Sequence, residues 1–223
     1  MKKIKSTLPN ILISLTTICI VAGTALSATN KFTEKAVIAA MNAEIQNAIK
    51  KVLPEFDNDP AEEQYKAAIT EGDSLTIYPA KNAGNIVGYA IESYSKKGFS
   101  GLIRVMVGFD SEGKILNFSV LEHNETPGLG SKMQEWFRAD NNRQSILGRD
   151  MTTGILKLSK DGGDIDAITA STISSRAFLE AINFAYAVSS GNSDAVSGAT
   201  SGDTDSVSAA TDIDGTSGAT EIN

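Results

Sequence analysis

The sequence predicts an α+β protein in which a central, mainly antiparallel sheet is flanked by helices. Three features support this prediction. An apolar run lies near the N-terminus, the apolar residues of the middle region alternate, and a helical spacing of apolar residues returns near residue 180. We therefore expect an N-terminal segment at residues 1–30, a folded domain at 31–188 and a disordered tail at 189–223.

The N-terminal segment has the composition of a membrane anchor. Lys2, Lys3 and Lys5 precede an apolar run from Ile11 to Ala28, which is about as short as a membrane-spanning helix can be. Positive charge before the run predicts a single-pass protein of the inner (cytoplasmic) membrane, with a cytoplasmic N-terminus and an extracytoplasmic (periplasmic) domain. A cleaved signal peptide is the alternative, because small residues lie at 25–28. A retained anchor is favoured.

The distribution of charged and reactive residues excludes several classes of function. The net charge of −7 divides into +3 for residues 1–30, −4 for 31–188 and −6 for the tail, so no basic surface for nucleic acid is expected. A single Cys19 excludes a disulfide within the chain, and a single His123 argues against haem or a multi-histidine metal centre. No Ser-His-Asp spacing is recognisable, so neither a catalytic residue nor a metal site is predicted.

The spacing of apolar residues predicts the individual elements. A helix from Phe32 ends near Pro54, residues 57–73 form a loop with a short helix, and further helices cover 133–137 and 173–187. Alternating apolar residues, with turns at 83–85 and 110–113, predict strands at Ser74–Tyr78, Ile86–Ser93, Leu102–Phe109, Ile115–Leu121 and Ile155–Leu158.

One heptad pattern occurs four times: Asp, two free positions, a hydroxyl residue, two small residues and Thr. It covers residues 166–172, 194–200, 205–211 and 214–220. The pattern offers a threonine hydroxyl on an uncrowded backbone. In the first copy Thr172 precedes a predicted helix, where a phosphate on its hydroxyl would meet free N–H groups and the positive end of the helix dipole. Arg176 lies one turn further on. Alternatively, Thr172 or Ser171 simply caps the helix.

A second motif, His-Asn-Glu-Thr-Pro-Gly-Leu-Gly at 123–130, follows the predicted hairpin. Pro127 restricts φ, whereas Gly128 and Gly130 permit positive φ and leave room for a flat ligand near the backbone. A tight turn between strand and helix is the alternative interpretation.

These motifs together resemble a known family. The order of an N-terminal anchor, Gly-Phe-Ser-Gly at 98–101, the Glu-Thr-Pro-Gly-Leu-Gly turn and the first heptad is similar to the G subunit of the Rnf electron-transport complex. It is also similar to the C subunit of the sodium-translocating NADH:quinone reductase. The resemblance covers residues 1–188, and its specificity comes from the combination of the turn with the heptad.

The resemblance implies that residues 31–188 form an FMN-binding domain. It implies FMN joined through its phosphate to Thr172 by a separate flavin transferase, with the 125–130 turn beside the isoalloxazine ring. The flavin would pass electrons between the other membrane subunits of a ferredoxin:NAD⁺ oxidoreductase that pumps Na⁺ or H⁺. The implied cofactor-binding residues are Asp166, Thr169, Ser171, Thr172, Glu125, Thr126, Gly128, Leu129 and Gly130.

The first heptad departs from the family's usual Ser/Thr-Gly-Ala-Thr centre, because it reads Thr-Ala-Ser-Thr at 169–172. The tail copies ending at Thr200 and Thr220 match that centre better, and Thr211 is the weakest. These tail threonines are extra flavin acceptors or part of a low-complexity segment that cannot fold. Two other functions stay open: the quinone-reductase C subunit, and a non-redox extracytoplasmic adaptor with linker repeats.

Overall fold

The computed structural model describes residues 8–70, 73–139 and 143–191. The tail threonines Thr200, Thr211 and Thr220 and the lysines before residue 8 therefore lie outside the described residues. The elements, in chain order, are α1 (Leu8–Val52), β1 (Tyr65–Thr70), β2 (Asp73–Asn82), β3 (Asn85–Gly98), β4 (Gly101–Phe109), β5 (Ile115–His123), α2 (Met133–Trp136) and α3 (Thr172–Ser189). Short 3-10 turns lie at Gly130–Lys132, Met151–Thr153 and Ser159–Asp161.

The sheet has five strands in the order β1-β2-β3-β4-β5, and each neighbouring pair is antiparallel. The predicted turns join β2 to β3 and β4 to β5. In the second turn the Asp110 carboxylate accepts hydrogen bonds from the backbone N–H groups of Glu112 and Lys114, at 2.9 and 2.8 Å. The α+β class with a central antiparallel sheet is confirmed.

Two predicted elements are wrong. The stretch 57–73, expected to be a loop with a short helix, contains β1. In this edge strand Ala67 and Ile69 face the core, while Lys66 and Ala68 are exposed. The predicted strand at Ile155–Leu158 does not form, because Leu158 makes only an isolated bridge to Ile165. A short edge strand buries too few apolar residues to produce a clear alternation.

Helix α3 packs on one face of the sheet and forms the larger core. Its predicted apolar residues, among them Phe178 and Ile182, are buried. The Phe178 ring stacks on Phe137, with ring centroids 4.6 Å apart, and meets Phe118 edge-on at 5.1 Å. The Ser93 hydroxyl donates to the Ala181 carbonyl oxygen at 2.7 Å, which ties the middle of α3 to β3.

Helix α1 packs on the opposite face with its last turns only. Ile49 and Val52 pack against a smaller core that includes Met106 on β4, and the Asn117 side chain donates to the Lys51 carbonyl oxygen at 2.8 Å. The helix has 45 residues and is about 68 Å long. It continues through the predicted boundary at residue 30 without a break. Within the described chain it is the one helix long and apolar enough to cross a membrane.

Both long helices have their N-terminal parts at the same end of the sheet. Along α3, Glu180 contacts Ser95 and Tyr186 contacts Phe109. Along α1, Ile45 lines a cleft with Arg104, Leu121 and Glu122, whereas Lys51 contacts Asn117 near the far end of the hairpin. One end of the sheet contains the turn Gly98–Gly101, which joins β3 to β4, and also the last residue of β5. We call it the Gly98 end.

The contact between α1 and β4 predicts the effect of a small substitution at Gly108. A Cβ atom at this residue would collide with the Val52 carbonyl group, so Gly108→Ala has to displace the end of α1. We expect a loss of roughly 1–3 kcal/mol in the free energy of unfolding, measured by thermal unfolding of the full chain in detergent. Gly23→Ala is the matched control, because nothing lies within 4 Å of that position. An unchanged unfolding temperature for Gly108→Ala would contradict the packing.

Candidate functional site

Three segments that are distant in sequence meet at the Gly98 end around the side chain of Glu125, which is only 4% exposed. Its Oε1 atom accepts a hydrogen bond from the backbone N–H of Ser100 at 2.9 Å. Its Oε2 atom accepts one from the Ser174 hydroxyl. The Ser171 and Ser174 hydroxyl oxygens are 2.9 Å apart. Because Ser174 gives its one hydrogen to Glu125, Ser171 is the donor in that pair.

Two glycines allow the backbone to approach this carboxylate closely. A Cβ atom on Gly98 would lie 2.6 Å from Glu125 Oε1. A Cβ atom on Gly130 would lie 2.5 Å from the Ser174 hydroxyl oxygen and 2.8 Å from Glu125 Oε2. All three distances are shorter than van der Waals contact, so a larger residue at either glycine would force the segments apart. The two glycines are therefore part of the junction between the segments.

The first heptad ends in a tight turn that is fixed to the start of α3. The Ser171 N–H donates to the Ile168 carbonyl oxygen at 2.9 Å, and Ala170 has a φ of 60°. The Ser175 hydroxyl accepts from the Ile168 N–H at 3.0 Å and donates to the Ser171 carbonyl oxygen at 2.9 Å. The left-handed conformation of Ala170 is the one that glycine adopts most easily. This conformation explains why the family's Ser/Thr-Gly-Ala-Thr centre has glycine at the position of Ala170.

Thr172 is the first residue of α3, and its hydroxyl is partly exposed. Ser171 occupies the N-cap position but makes no capping hydrogen bond with its side chain. The Thr172 hydroxyl oxygen instead accepts from the Lys160 ammonium group at 3.3 Å. The first N–H groups of a helix have no partner within it, so an anion on Thr172 would meet both a cation and free donors. These groups fit a phosphate ester.

The Lys160 ammonium group lies within hydrogen-bond distance of the Thr172 hydroxyl. The Arg176 guanidinium donates two hydrogen bonds to Asp161, at 2.8 and 2.6 Å, and these bonds lower the pKa of the Asp161 carboxyl. The 3-10 turn Ser159–Asp161 places Lys160 and Asp161 side by side. The contact of Arg176 with a phosphate stays a prediction, and the sequence reasoning did not identify Lys160, which lies next to the hydroxyl. No spacing signal connects an irregular turn at 159–161 to Thr172.

The remaining heptad residues are spread around this turn. The Asp166 carboxylate accepts from the Ser159 hydroxyl at 2.9 Å and forms an ion pair with Arg143 at 3.3 Å. It thus holds the start of the heptad against the turn that carries Lys160. Thr169 is exposed to solvent.

The 125–130 turn closes on itself and leaves one side open. The Thr126 carbonyl oxygen accepts from the Leu129 N–H at 3.1 Å, and the Gly128 N–H donates to the Ser131 hydroxyl at 2.9 Å. Gly128 has a φ of 78°, and nothing lies within 4 Å of the position of a Cβ atom there. The turn thus offers an open backbone surface of the kind that a flat ring needs. His123 helps to shape it by accepting from the Glu125 N–H at 3.3 Å.

Three exposed apolar side chains surround the junction: Phe99 (68% exposed), Leu129 (38%) and Ile173 (51%). We call them the apolar rim. Each is next in sequence to a residue that contacts Glu125 or lies beside it, namely Ser100, Gly130 and Ser174. Sequence reasoning assigned a role to Leu129 alone, because the exposure of the other two depends on how the three turns meet.

The Thr172 hydroxyl is the candidate nucleophile of the site, and in the described part of the chain no basic side chain accepts a hydrogen bond from it. Within the described residues the Thr172 hydroxyl is hydrogen-bonded to a cation rather than to a carboxylate or an imidazole. No cluster of three or more potential metal ligands is found in that part of the chain either. The site can therefore present a hydroxyl and place a positive charge beside a phosphate attached to it.

Comparison with known proteins agrees with this geometry. Residues 98–187 match the model of the FMN-binding domain, and this range includes all three segments around Glu125. A relative from Stutzerimonas stutzeri is 31% identical over 176 residues, which cover 76% of this chain and 75% of the relative. A relative from Haemophilus influenzae is 36% identical over 172 residues (73% and 79%), and one from Shewanella amazonensis is 30% identical over 169 residues (71% and 77%).

All three relatives are described as the G subunit of an ion-translocating oxidoreductase complex. The matched segments extend over most of each protein, so the likeness includes more than the cofactor domain. The apolar α1 helix agrees with association with a membrane. The chain belongs to the family of G subunits of ion-translocating oxidoreductase complexes, and its residues 98–187 match an FMN-binding domain.

Proposed function

We propose that this protein is a membrane-anchored electron-transfer subunit that carries FMN covalently on Thr172, within an Rnf-type ion-translocating ferredoxin:NAD⁺ oxidoreductase. The observation that supports this most directly is the position of the Thr172 hydroxyl. It lies at the first turn of α3, 3.3 Å from the Lys160 ammonium group, beside the junction that Glu125 organises. FMN supplies the electron-transfer chemistry when it is bound.

Attachment requires a flavin transferase and a flavin dinucleotide as the donor. In the proposed attachment the Thr172 hydroxyl oxygen would form a bond to the flavin-bearing phosphorus and lose its proton, while the pyrophosphate bond of the donor would break and the other nucleotide would leave. The product is a phosphodiester between threonine and FMN. Lys160 stabilises the negative phosphate, together with the free N–H groups of the first turn of α3.

The turn at 125–130 is proposed to hold the isoalloxazine ring. Gly128 leaves space for the ring, Leu129 offers an apolar surface, and Glu125 and Gly130 hold the turn against α3. Thr126 closes the turn through its carbonyl oxygen. On the phosphate side Ser171, Thr169 and Asp166 shape the approach to Thr172. A tethered flavin is not lost by dissociation, so these residues need only to orient the ring and tune its surroundings.

The anchor is proposed to stay attached, in the inner membrane, with the domain on the periplasmic side. Two features support retention over cleavage near residue 28. Helix α1 runs without a break from the apolar segment to Val52, and its last turns complete the smaller core of the domain. One anchor helix cannot form an ion path, so the other membrane subunits of the complex are required partners.

Among the alternatives, the quinone-reductase C subunit would carry flavin in the same way. The identity of the subunits that co-purify with the chain distinguishes this alternative from the Rnf-type G subunit. The names of the relatives favour the G subunit. A non-redox adaptor with linker repeats would be colourless. Tail threonines Thr200 and Thr220 remain candidate extra acceptors, which intact mass would count.

Thr172→Val is the first test of covalent attachment. The variant lacks the hydroxyl that forms the ester, so protein co-expressed with a flavin transferase should lose the fluorescent band that survives a denaturing gel, together with the corresponding mass of FMN. Thr153→Val is the control, because Thr153 is an exposed threonine in a turn outside the site. A non-fluorescent wild-type chain would refute the proposal. If the Thr172→Val variant retains part of the wild-type fluorescence, a tail threonine carries flavin.

Lys160→Gln tests the role assigned to the cation. Removing one exposed positive charge from the phosphate should slow flavin attachment by about threefold to fivefold, which corresponds to at most about 1 kcal/mol for a solvent-exposed charge pair. The measurement is the time course of FMN incorporation by intact mass. Lys157→Gln removes an exposed charge three residues earlier and should leave the rate unchanged. Equal rates for both variants would show that Lys160 makes no productive contact.

Glu125→Ala tests the junction. The substitution leaves the Ser100 N–H and the Ser174 hydroxyl without their acceptor, and unpaired buried groups cost roughly 1–3 kcal/mol each in stability. We expect a lower unfolding temperature and less FMN incorporated. Glu125→Gln retains an acceptor for Ser100 and a donor for Ser174, so it should restore most of both signals. Glu135→Ala, on the exposed side of α2, is the neutral control. A Glu125→Ala variant with the unfolding temperature and FMN content of the wild type would contradict this role.

A further inference from the structure

We infer that the Gly98 end of the domain faces the membrane and docks, through the apolar rim and the neighbouring stretch of α1, on a membrane-embedded partner subunit. The inference rests on the proposed function in one respect, since it requires the anchor to remain in the bilayer. Beyond that function, it identifies the surface through which the protein is held in its complex.

The direction of the domain follows from the register between α1 and the sheet. Lys51 of α1 contacts Asn117, near the start of β5, whereas Ile45 lies beside Leu121 and Glu122 at its end. The helix therefore runs along β5 with its N-terminal side toward the Gly98 end. Because α1 is continuous back to Leu8, the apolar segment lies beyond that end of the domain and not beyond the opposite one.

The same contacts give an approximate height of the apolar rim above the membrane. Met41 lines the cleft beside Arg104. From Met41 back to the end of the apolar run at Ala28 is about 20 Å along the helix. From Arg104 to Phe99, in the same direction, is about 17 Å along the strand. Measured along the direction of α1, the apolar rim thus lies within roughly 10 Å of the level at which the apolar run ends.

The acceptor threonine lies at this end as well. Helix α3 begins with Thr172 near Glu125 and ends near Phe109 on the other side of the molecule. A flavin on Thr172 would consequently lie between the domain and the membrane. The Glu125 hydrogen bonds fix the three turns, so the rim is presented as one defined surface and not as three independent loops.

The rim concentrates the exposed apolar surface of the domain. Among the described residues after Leu53, six large apolar side chains are exposed, and three of them form the rim; the others are Tyr65, Ile86 and Ile155. Isolated exposed apolar residues are common, but a cluster marks an interaction surface. The exposed α1 residues Val37, Ile38 and Met41 extend this surface toward the membrane, because Val37 and Ile38 precede Met41 by four and three residues, and positions at this spacing are neighbours on a helix surface.

A protein partner fits these observations better than lipid alone. A flavin that faces the membrane side has to exchange electrons there, and lipid tails cannot accept them. The relatives are subunits of a complex, so a membrane-embedded neighbour is expected beside α1. Its complementary surface should be apolar, because the rim and the exposed side of α1 are apolar.

Site-specific photocrosslinking in native membranes tests the inference. A photoreactive phenylalanine derivative replaces Phe99 in the full chain, and in a matched control variant it replaces Ile86, which is exposed at the opposite end of the sheet. We expect an adduct with a membrane-embedded protein at position 99 that is at least about tenfold stronger than at position 86. A lipid-only adduct at 99, no adduct, or equal adducts at both positions would overturn the inference.

Fluorescence of the same gel lanes separates this result from the proposed function. A fluorescent chain without a protein adduct at position 99 refutes the docking surface alone. A non-fluorescent chain that still forms the adduct contradicts covalent flavin and leaves the docking surface supported.

An insertion in α1 provides an independent test. Two alanines inserted after Asn30 turn the domain by roughly 200° about the helix axis relative to the membrane segment. The residues around this position are exposed, so the fold of the domain is not affected. The adduct at position 99 should fall at least about tenfold while flavin fluorescence stays unchanged. The same two alanines inserted after Met1 should change neither signal. An undiminished adduct after the first insertion would overturn the inference.

Discussion

The buried carboxylate of Glu125 is the contact on which the candidate site depends. A buried carboxylate is unfavourable unless hydrogen bonds satisfy it, and here the donors come from Ser100, 25 residues earlier, and Ser174, 49 residues later. The need to satisfy one charged group therefore holds three turns together. Because glycines at 98 and 130 leave no side chain between backbone and carboxylate, the junction has little freedom to open.

The antiparallel sheet explains why this junction lies at one end of the molecule. In a sheet with strands in chain order, the turn after β3 and the segment after β5 leave from the same end. Helix α3 covers one face and starts at that end, so its N-terminus meets both segments. Helix α1 covers the other face in the same direction, so the site and the membrane segment lie on the same side of the domain.

The regular elements were predictable where apolar residues recur at a regular spacing. Alternating residues of β4 and β5 predicted the hairpin that these two strands form, and the apolar face of α3 predicted that helix, because each pattern repeats over several turns or pleats. The edge strand β1 was missed since only Ala67 and Ile69 face the core. Ile155–Leu158 was wrongly predicted as a strand because a short apolar run also fits an irregular segment that packs on the core.

The sequence by itself determined the kinds of groups available: a threonine in a small-residue heptad, a glycine-rich turn after a hairpin, an apolar segment near the N-terminus, and no redox-active side-chain set. Only the tertiary structure decided how these groups meet. It placed Lys160 beside Thr172 while pairing Arg176 with Asp161, and it joined the heptad to the turn through Ser174 and Glu125. Such contacts link irregular turns far apart in the chain, where no periodic pattern records them, so they become visible only when packing brings the turns together.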